Sequence, residues 1–343
     1  MNKRLVWGLT AAGGALVLCA GAFFARSGKP SPGAVVPPLI ELAAAIEAPN
    51  EPIQPLPNNM KFDDAKVTLG KKLFHDKRLS HDNSIACAGC HALDKGGTDQ
   101  KDHSVGIGGA IGGINAPSVY NSGLNFKQFW NGRAATLEDQ VNGPTHHPKE
   151  MGSNWDEILG KLRGDAELTK QFIAIYPDGV QAQNVRDAIA TFERSLLTVD
   201  SPFDRYLRGD SSALSAQAKE GYKLFKAYGC GSCHQGANVG GNMYQHMGVM
   251  KNYFSSQRTL TDADLGRFTV TNKESDRYVF RVPSLRNIEN THPYFHDGSA
   301  ATLSAAIEVM AEYQLGRYID VKDVAKIEEF LKSLTGKQES PTL

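Results

Sequence analysis

At 343 residues the chain is long enough for two domains of ordinary size. Lys plus Arg and Asp plus Glu each number 37, so no basic surplus points to nucleic acid and no acidic surplus to a basic partner. An apolar content of 41% supports a normal core and excludes global disorder. The chain opens with Lys3 and Arg4 followed by 21 uncharged residues, LVWGLTAAGGALVLCAGAFFA, ahead of Arg26. A positive start and an apolar run of bilayer-spanning length are the pattern of an export signal or an uncleaved N-terminal membrane anchor over residues 1–26. Cys19 follows Leu18, which is bulky for a lipid-attachment site. Residues 27–60 are rich in proline and small residues and read as a tether, so folded protein is expected from about Lys61.

Beyond the leader there are four cysteines, Cys87, Cys90, Cys230 and Cys233, in CAGCH (87–91) and CGSCH (230–234). Disulfides are the ordinary expectation for an exported chain, but adjacent C-x-x-C pairs close very short loops. A four-cysteine zinc site leaves unexplained why a histidine follows each pair directly. C-x-x-C-H is the attachment signature of c-type haem: two thioethers fix the porphyrin and the next residue supplies the proximal imidazole. Two copies behind an export pattern predict two covalently bound haem c groups, with His91 and His234 as proximal ligands.

The two halves repeat more than this motif. GKKLF (70–74) precedes the first pair and GYKLF (221–225) the second. PSVYN (117–121) matches PSLRN (283–287), and FWNGRAATL (129–137) matches FHDGSAATL (295–303), both at an offset of 166. ATFERSLL (190–197) is similar to IEEFLKSLT (327–335). Val185, Ile189, Phe192 and Leu196 recur at helical spacing, as do Val321, Val324, Ile327, Phe330, Leu331 and Leu334. Strand-like alternation is scarce. The expected fold is mainly α: two cytochrome c-like haem domains related by internal duplication, 61–200 and 201–336, with long loops and little strand.

Carried forward, the offset of 166 pairs Met310 with Pro144. A thioether is a good sixth ligand for haem iron and raises its potential; proline cannot ligate. Methionine also serves as plain core packing, and it is the comparison of the repeats that singles out Met310. Around the first haem the chain instead carries Gln140 and Glu150, within DQVNGPTHHPKEMG. One haem is thus expected to be closed and suited to electron transfer, the other open beside a carboxylate.

Over roughly residues 58–336 the chain resembles the bacterial di-haem cytochrome c peroxidase family, through both C-x-x-C-H sites and QFWNGRAATLEDQ, NGPTHHPKEMG, VPSLRN, PYFHDGSAATL and MAEYQLG. The resemblance implies reduction of hydrogen peroxide to water in the periplasm, with electrons from a small cytochrome c or a blue-copper protein. It implies that His91 holds the peroxidatic haem and that His234 and Met310 hold the high-potential haem. Glu150 and Gln140 would line the peroxide pocket, with Trp130 between the haems. It implies a calcium ion held by Asn115, Thr291 and Pro293, and a homodimer. A carboxylate can carry the proton from one peroxide oxygen to the other, and an amide can orient the substrate.

One departure concerns a histidine that caps the peroxidatic iron at rest in many family members. Its position falls at Ile107, which cannot ligate, and His103 lies four residues earlier in a glycine-rich loop. The expectation is a first haem that is open at rest, with His103 a solvated loop residue. His292 and His296 are placed near the second haem, as propionate partners or surface residues, and His146 and His147 beside the peroxide pocket. Two alternatives are weighed. One is the related tryptophan-oxidising enzyme of methylamine dehydrogenase maturation, where a tyrosine replaces the methionine ligand and Tyr313 would be the candidate. The other is a pure electron carrier, which leaves Gln140 and Glu150 without a role.

Overall fold

The first helix, α1 (Asp64–Phe74), begins where the Asp63 carboxylate accepts the free amides of Ala65 and Lys66, and it ends on Lys71 and Lys72 at its negative pole. The computed structural model describes residues 48, 50–254 and 259–338. The leader expected over 1–26, Cys19 and most of the 27–60 segment lie outside the described residues, and among these no helix is long and apolar enough to cross a membrane. A one-turn helix, α2 (Cys87–Cys90), carries the first cysteine pair. Long loops lead to α3 (Leu137–His146), α4 (Trp155–Arg163), α5 (Ala166–Ile175) and α6 (Ala182–Ser195). After β1 (Thr198–Val199) the second half runs through α7 (Pro202–Leu207), α8 (Ala216–Tyr228), β2 (Tyr244–His246), α9 (Phe268–Thr271), β3 (Val279–Arg281), α10 (Leu303–Val309), α11 (Val321–Lys332) and β4 (Lys337–Gln338). The fold is mainly helical, and the described strands are only two or three residues long.

Two apolar cores lie within one compact unit. In the first, α1 crosses α6, with Phe74 edge-on to Phe192 at 5.3 Å. In the second, α8 crosses α11, and Phe330 gathers Phe203, Tyr222 and Phe225 with ring centroids each 5.0 Å away. Both crossings are backbone-close and need glycine. A Cβ on Gly70 would lie 1.9 Å from the Ala188 carbonyl oxygen, and one on Gly221 1.9 Å from that of Lys326. The link between the halves is closed by β4, which returns to pair antiparallel with β1 (Val199 opposite Lys337). The β2–β3 pair sets Tyr244 opposite Arg281.

The tether expected to run to residue 60 ends earlier. Ile53 and Leu56 are fully buried, and Ile53 belongs to the second core. The Gly236 amide donates to the Pro52 carbonyl at 2.8 Å, so this extended strap braces the turn just after His234. The Leu56 amide donates to Asp204, and Arg286 donates to the Gln54 carbonyl at 2.9 Å. Arg286 also pairs with Asp204 at 2.7 Å, both side chains fully buried. Proline keeps the segment extended, and two apolar residues three apart in an extended chain show no periodicity to read.

Gly221→Ala is expected to destabilise the haem-loaded protein by about 1–3 kcal/mol, because the added methyl meets backbone that cannot move aside. Gly160→Ala, in α4 with nothing within 4 Å of the new atom, is expected to leave stability unchanged or raise it. Denaturant melts of the two variants check both.

Candidate functional site

The two C-x-x-C-H segments adopt nearly the same local form. Each histidine amide donates back to the first cysteine of its motif, His91 to Cys87 at 2.9 Å and His234 to Cys230 at 3.0 Å. The second segment starts at Gly229, whose φ of 95° ends α8 and turns the chain into the motif. All four cysteines are unpaired. Each imidazole directs Nδ1 to a backbone carbonyl, His91 to Gly97 and His234 to Val239, both at 3.3 Å. Such a bond fixes the tautomer and leaves Nε2 available as a ligand. Burial, against the opposing pull of these carbonyls, lowers the pKa of His91 and takes that of His234 down to about 4, so both rings are neutral.

Burial also pushes the Cys87 thiol up to about 12 and the Cys230 thiol to about 11, and it raises Cys90. The only group of three or more metal-capable side chains among the described residues is Asp264, His296 and Asp297. The cysteines therefore do not converge on a zinc site. Unpaired thiols one turn apart beside an oriented neutral imidazole fit the demands of covalent haem.

Around the second motif these residues open onto a cavity of about 1740 Å³, counting the part open to solvent. Cys230, Cys233, His234 and Met310 all line it. Met310 opens a π-helical turn, Met310–Gln314, continuing from α10. Leu303, Ala306, Ile307 and Met310 form the face of α10 that walls the cavity. Tyr313 is instead packed edge-on to Tyr253 at 5.3 Å, under the Lys251 ammonium.

The backbone repeats at the offset of 166. Asn121 and Asn287 share a left-handed conformation (φ 58° and 60°), as do Phe129 and Phe295 (68° and 72°). The Gln128–Ala134 bridge recurs as Tyr294–Ala300. Thr136 caps α3 as Thr302 caps α10. The face of α3 equivalent to the cavity wall is therefore Leu137, Gln140, Val141 and Pro144. Gln140 stands where the second half has Ala306, and Pro144 where it has Met310.

Glu150 lies in the turn that follows α3. Its amide donates to the His147 carbonyl at 2.9 Å, and its carboxylate sits 3.5 Å from His147 Nδ1, half-exposed. Burial raises the Cys90 thiol against a hydrogen bond with Ser104, and the Asp99 and then the Glu150 charge add to the rise. The Ile107 amide donates to the Glu150 carbonyl at 2.9 Å, and the Ile107 side chain fills the space over Gly152. The loop carrying Ile107 thus docks on the turn carrying Glu150. His103 is half-buried, and His146 and His147 are exposed.

Trp130 lines the second cavity, and its indole N–H donates to the Asn115 carbonyl at 3.0 Å. Asn115, Thr291 and Pro293 line the same cavity. Two features were not singled out in the sequence. Arg133 stacks over Phe129, 3.3 Å from the ring centre; burial lowers its pKa and the Glu150 charge opposes that shift. His246, given no role there, lines the second cavity. His296, the counterpart of Trp130, is not a surface residue: it is 3% exposed, edge-on to Trp130, and paired with Asp264 at 2.8 Å. His292 is exposed.

The family model described as "Di-haem cytochrome c peroxidase" matches residues 64–212. The chain is 50% identical over 293 residues to "Cytochrome c peroxidase Ccp" of Escherichia coli K12, covering 85% of this chain and 63% of that protein, so it spans under two thirds of that relative's length. It is 45% identical over 297 residues to "Cytochrome c551 peroxidase" of Nitrosomonas europaea, covering 86% of this chain and 87% of the relative. Among solved structures it is similar to a MauG-like protein associated with microbial copper homeostasis, with a TM-score of 0.69 and 28% identity, over 84% of this chain and 94% of that one.

Serine at both Cys230 and Cys233 is expected to remove one of two covalently held haems. Denaturing mass spectrometry and the alkaline pyridine spectrum should read two haems per unaltered chain and one in the variant.

Proposed function

Because the chain belongs to the di-haem cytochrome c peroxidase family, we propose that it reduces hydrogen peroxide to water outside the cytoplasm, drawing electrons from a small cytochrome c or a cupredoxin. The observation that carries this reading is the asymmetry of two otherwise duplicated sites. Met310 walls the second cavity, while the equivalent face in the first half presents Gln140 and a non-ligating Pro144, with Glu150 alongside. In this reading 61–200 is the peroxidatic domain and 201–336 the electron-transfer domain.

Cys87, Cys90 and His91 hold the first haem, and Cys230, Cys233, His234 and Met310 hold the second. When bound, the haems supply redox chemistry: two electrons from the donor cleave the O–O bond, and two protons complete two waters. Glu150 takes the proton from the peroxide oxygen nearer the first haem and delivers it to the departing oxygen. Gln140 orients the substrate through its amide. Donor electrons arrive at the second site and cross at Trp130, whose ring is fixed by its bond to the Asn115 carbonyl. Asn115 and the backbone carbonyls of Thr291 and Pro293 would hold a calcium ion. The leader serves as an export signal or inner-membrane anchor, and the protein works as a homodimer.

The docking of Ile107 on the Glu150 turn supports a first site that is open at rest. That Met310, and not Tyr313, faces the cavity weighs against the tryptophan-oxidising alternative.

Glu150→Gln is expected to lower peroxide turnover by about 10²–10⁴ with both haems retained; unchanged turnover would remove Glu150 from the mechanism. Fully oxidised and half-reduced samples are expected to oxidise a reduced small cytochrome at equal rates. Stopped-flow mixing with peroxide checks this, and activity confined to the half-reduced sample would show that a gate exists.

A further inference from the structure

The helix that closes the second cavity contributes Ile327 and Leu331 to its wall. The helix crossings identify their counterparts in the first half. Gly70 abuts Ala188 and Phe192 as Gly221 abuts Lys326 and Phe330, which aligns α6 with α11 at an offset of 138. At that offset Ile189 corresponds to Ile327, and Glu193 corresponds to Leu331. One isoleucine is kept, and Leu331, on the wall of the second cavity, is replaced at the equivalent position by the carboxylic acid of Glu193.

Glu193 is 5% exposed, and its Oε2 is buried with no hydrogen-bond partner. Its neighbour Arg194 is committed to Glu138 at 2.7 Å. Behind burial, an ionised Glu193 would raise the Cys87 thiol further, which sets the carboxyl near Cys87. Burial raises its pKa to about 8, with Arg194 opposing and Glu138 adding to the shift, so at neutral pH it is mostly the uncharged acid. An unpartnered carboxyl in a core costs stability, and Leu331 shows that this fold accepts an apolar side chain at the same place.

We propose that Glu193 is a poising residue for the first haem: its carboxyl group faces that haem's cavity and lowers its reduction potential relative to the second haem, where Leu331 stands instead. This rests on the di-haem reading above. A polar or negative group beside a haem favours the more positive, oxidised iron, whereas an apolar wall favours the reduced form. Thioether ligation at Met310 raises the second potential, so Glu193 and Met310 separate the two haems from opposite sides. A lower potential makes the first haem the stronger reductant towards peroxide, while the second stores the donor's electron.

The test is spectroelectrochemical titration of both haems in the full, haem-loaded chain, at one pH, for Glu193→Leu, Glu193→Gln and Leu331→Glu. Glu193→Leu is expected to raise the first haem's potential and leave the second's in place. Glu193→Gln, which keeps a dipole but cannot ionise, is expected to give a smaller upward shift and carries the test if the leucine variant does not fold. Leu331→Glu is expected to lower the second potential. A first-haem potential unmoved in Glu193→Leu, or in Glu193→Gln where only that variant folds, with two haems retained, overturns the poising role and leaves the peroxidase reading intact. An unaltered chain carrying fewer than two haems overturns both.

Discussion

The close approach of backbone to backbone where α1 crosses α6 and α8 crosses α11 sets the frame on which both halves are built. At each crossing a glycine lets one helix rest on a carbonyl of the other. A bulkier residue would lift the second helix and turn the face it presents to the haem cavity. Because the crossing recurs, the two halves present corresponding faces, and their differences can be read residue by residue. Close packing of this kind also makes the faces rigid, since interiors at crystal-like density do not deform continuously.

On this frame, burial does most of the electrostatic work. His91 and His234 are kept neutral by desolvation, and a carbonyl bond to Nδ1 leaves Nε2 available as a ligand. The buried Arg286–Asp204 pair survives because its remaining donors and acceptors are used by Ser201, Leu56, Ala237 and Gln54. An ion pair held so fully is costly to break on one side. It ties the N-terminal strap to the turn after His234, so residues 50–57 brace the second C-x-x-C-H segment.

The functional contrast between the halves comes down to a few substitutions on a shared backbone. Met310 against Pro144, Ala306 against Gln140, His296 against Trp130, Ser299 against Arg133 and Leu331 against Glu193 all lie at equivalent positions. The first half carries an amide, a guanidinium and a carboxyl where its partner has Ala306, Ser299 and Leu331, while Pro144 and Trp130 stand where its partner has Met310 and His296. Duplication followed by such local divergence is what the proposed division of labour between the two halves rests on.

Much of this was legible in the residue string. Both C-x-x-C-H motifs, the offset of 166, the amphipathic helices α6 and α11 and the pairing of Met310 with Pro144 follow from local pattern and self-comparison, which need no knowledge of distant contacts. The similarity of ATFERSLL to IEEFLKSLT already contained the Glu193–Leu331 substitution, but nothing in either segment says that Leu331 walls a cavity. The features that local pattern does not carry are non-local contacts. Ile53 and Leu56 read as tether because an extended segment has no helical period; β4 is two residues whose partner lies far upstream. Arg133 meets Phe129 and Glu150 only once the loops close. Which groups are present and how the repeats correspond can be read from the order of residues alone. Burial and long-range packing set which of them line the second cavity, because desolvation and close contact are properties of the folded chain.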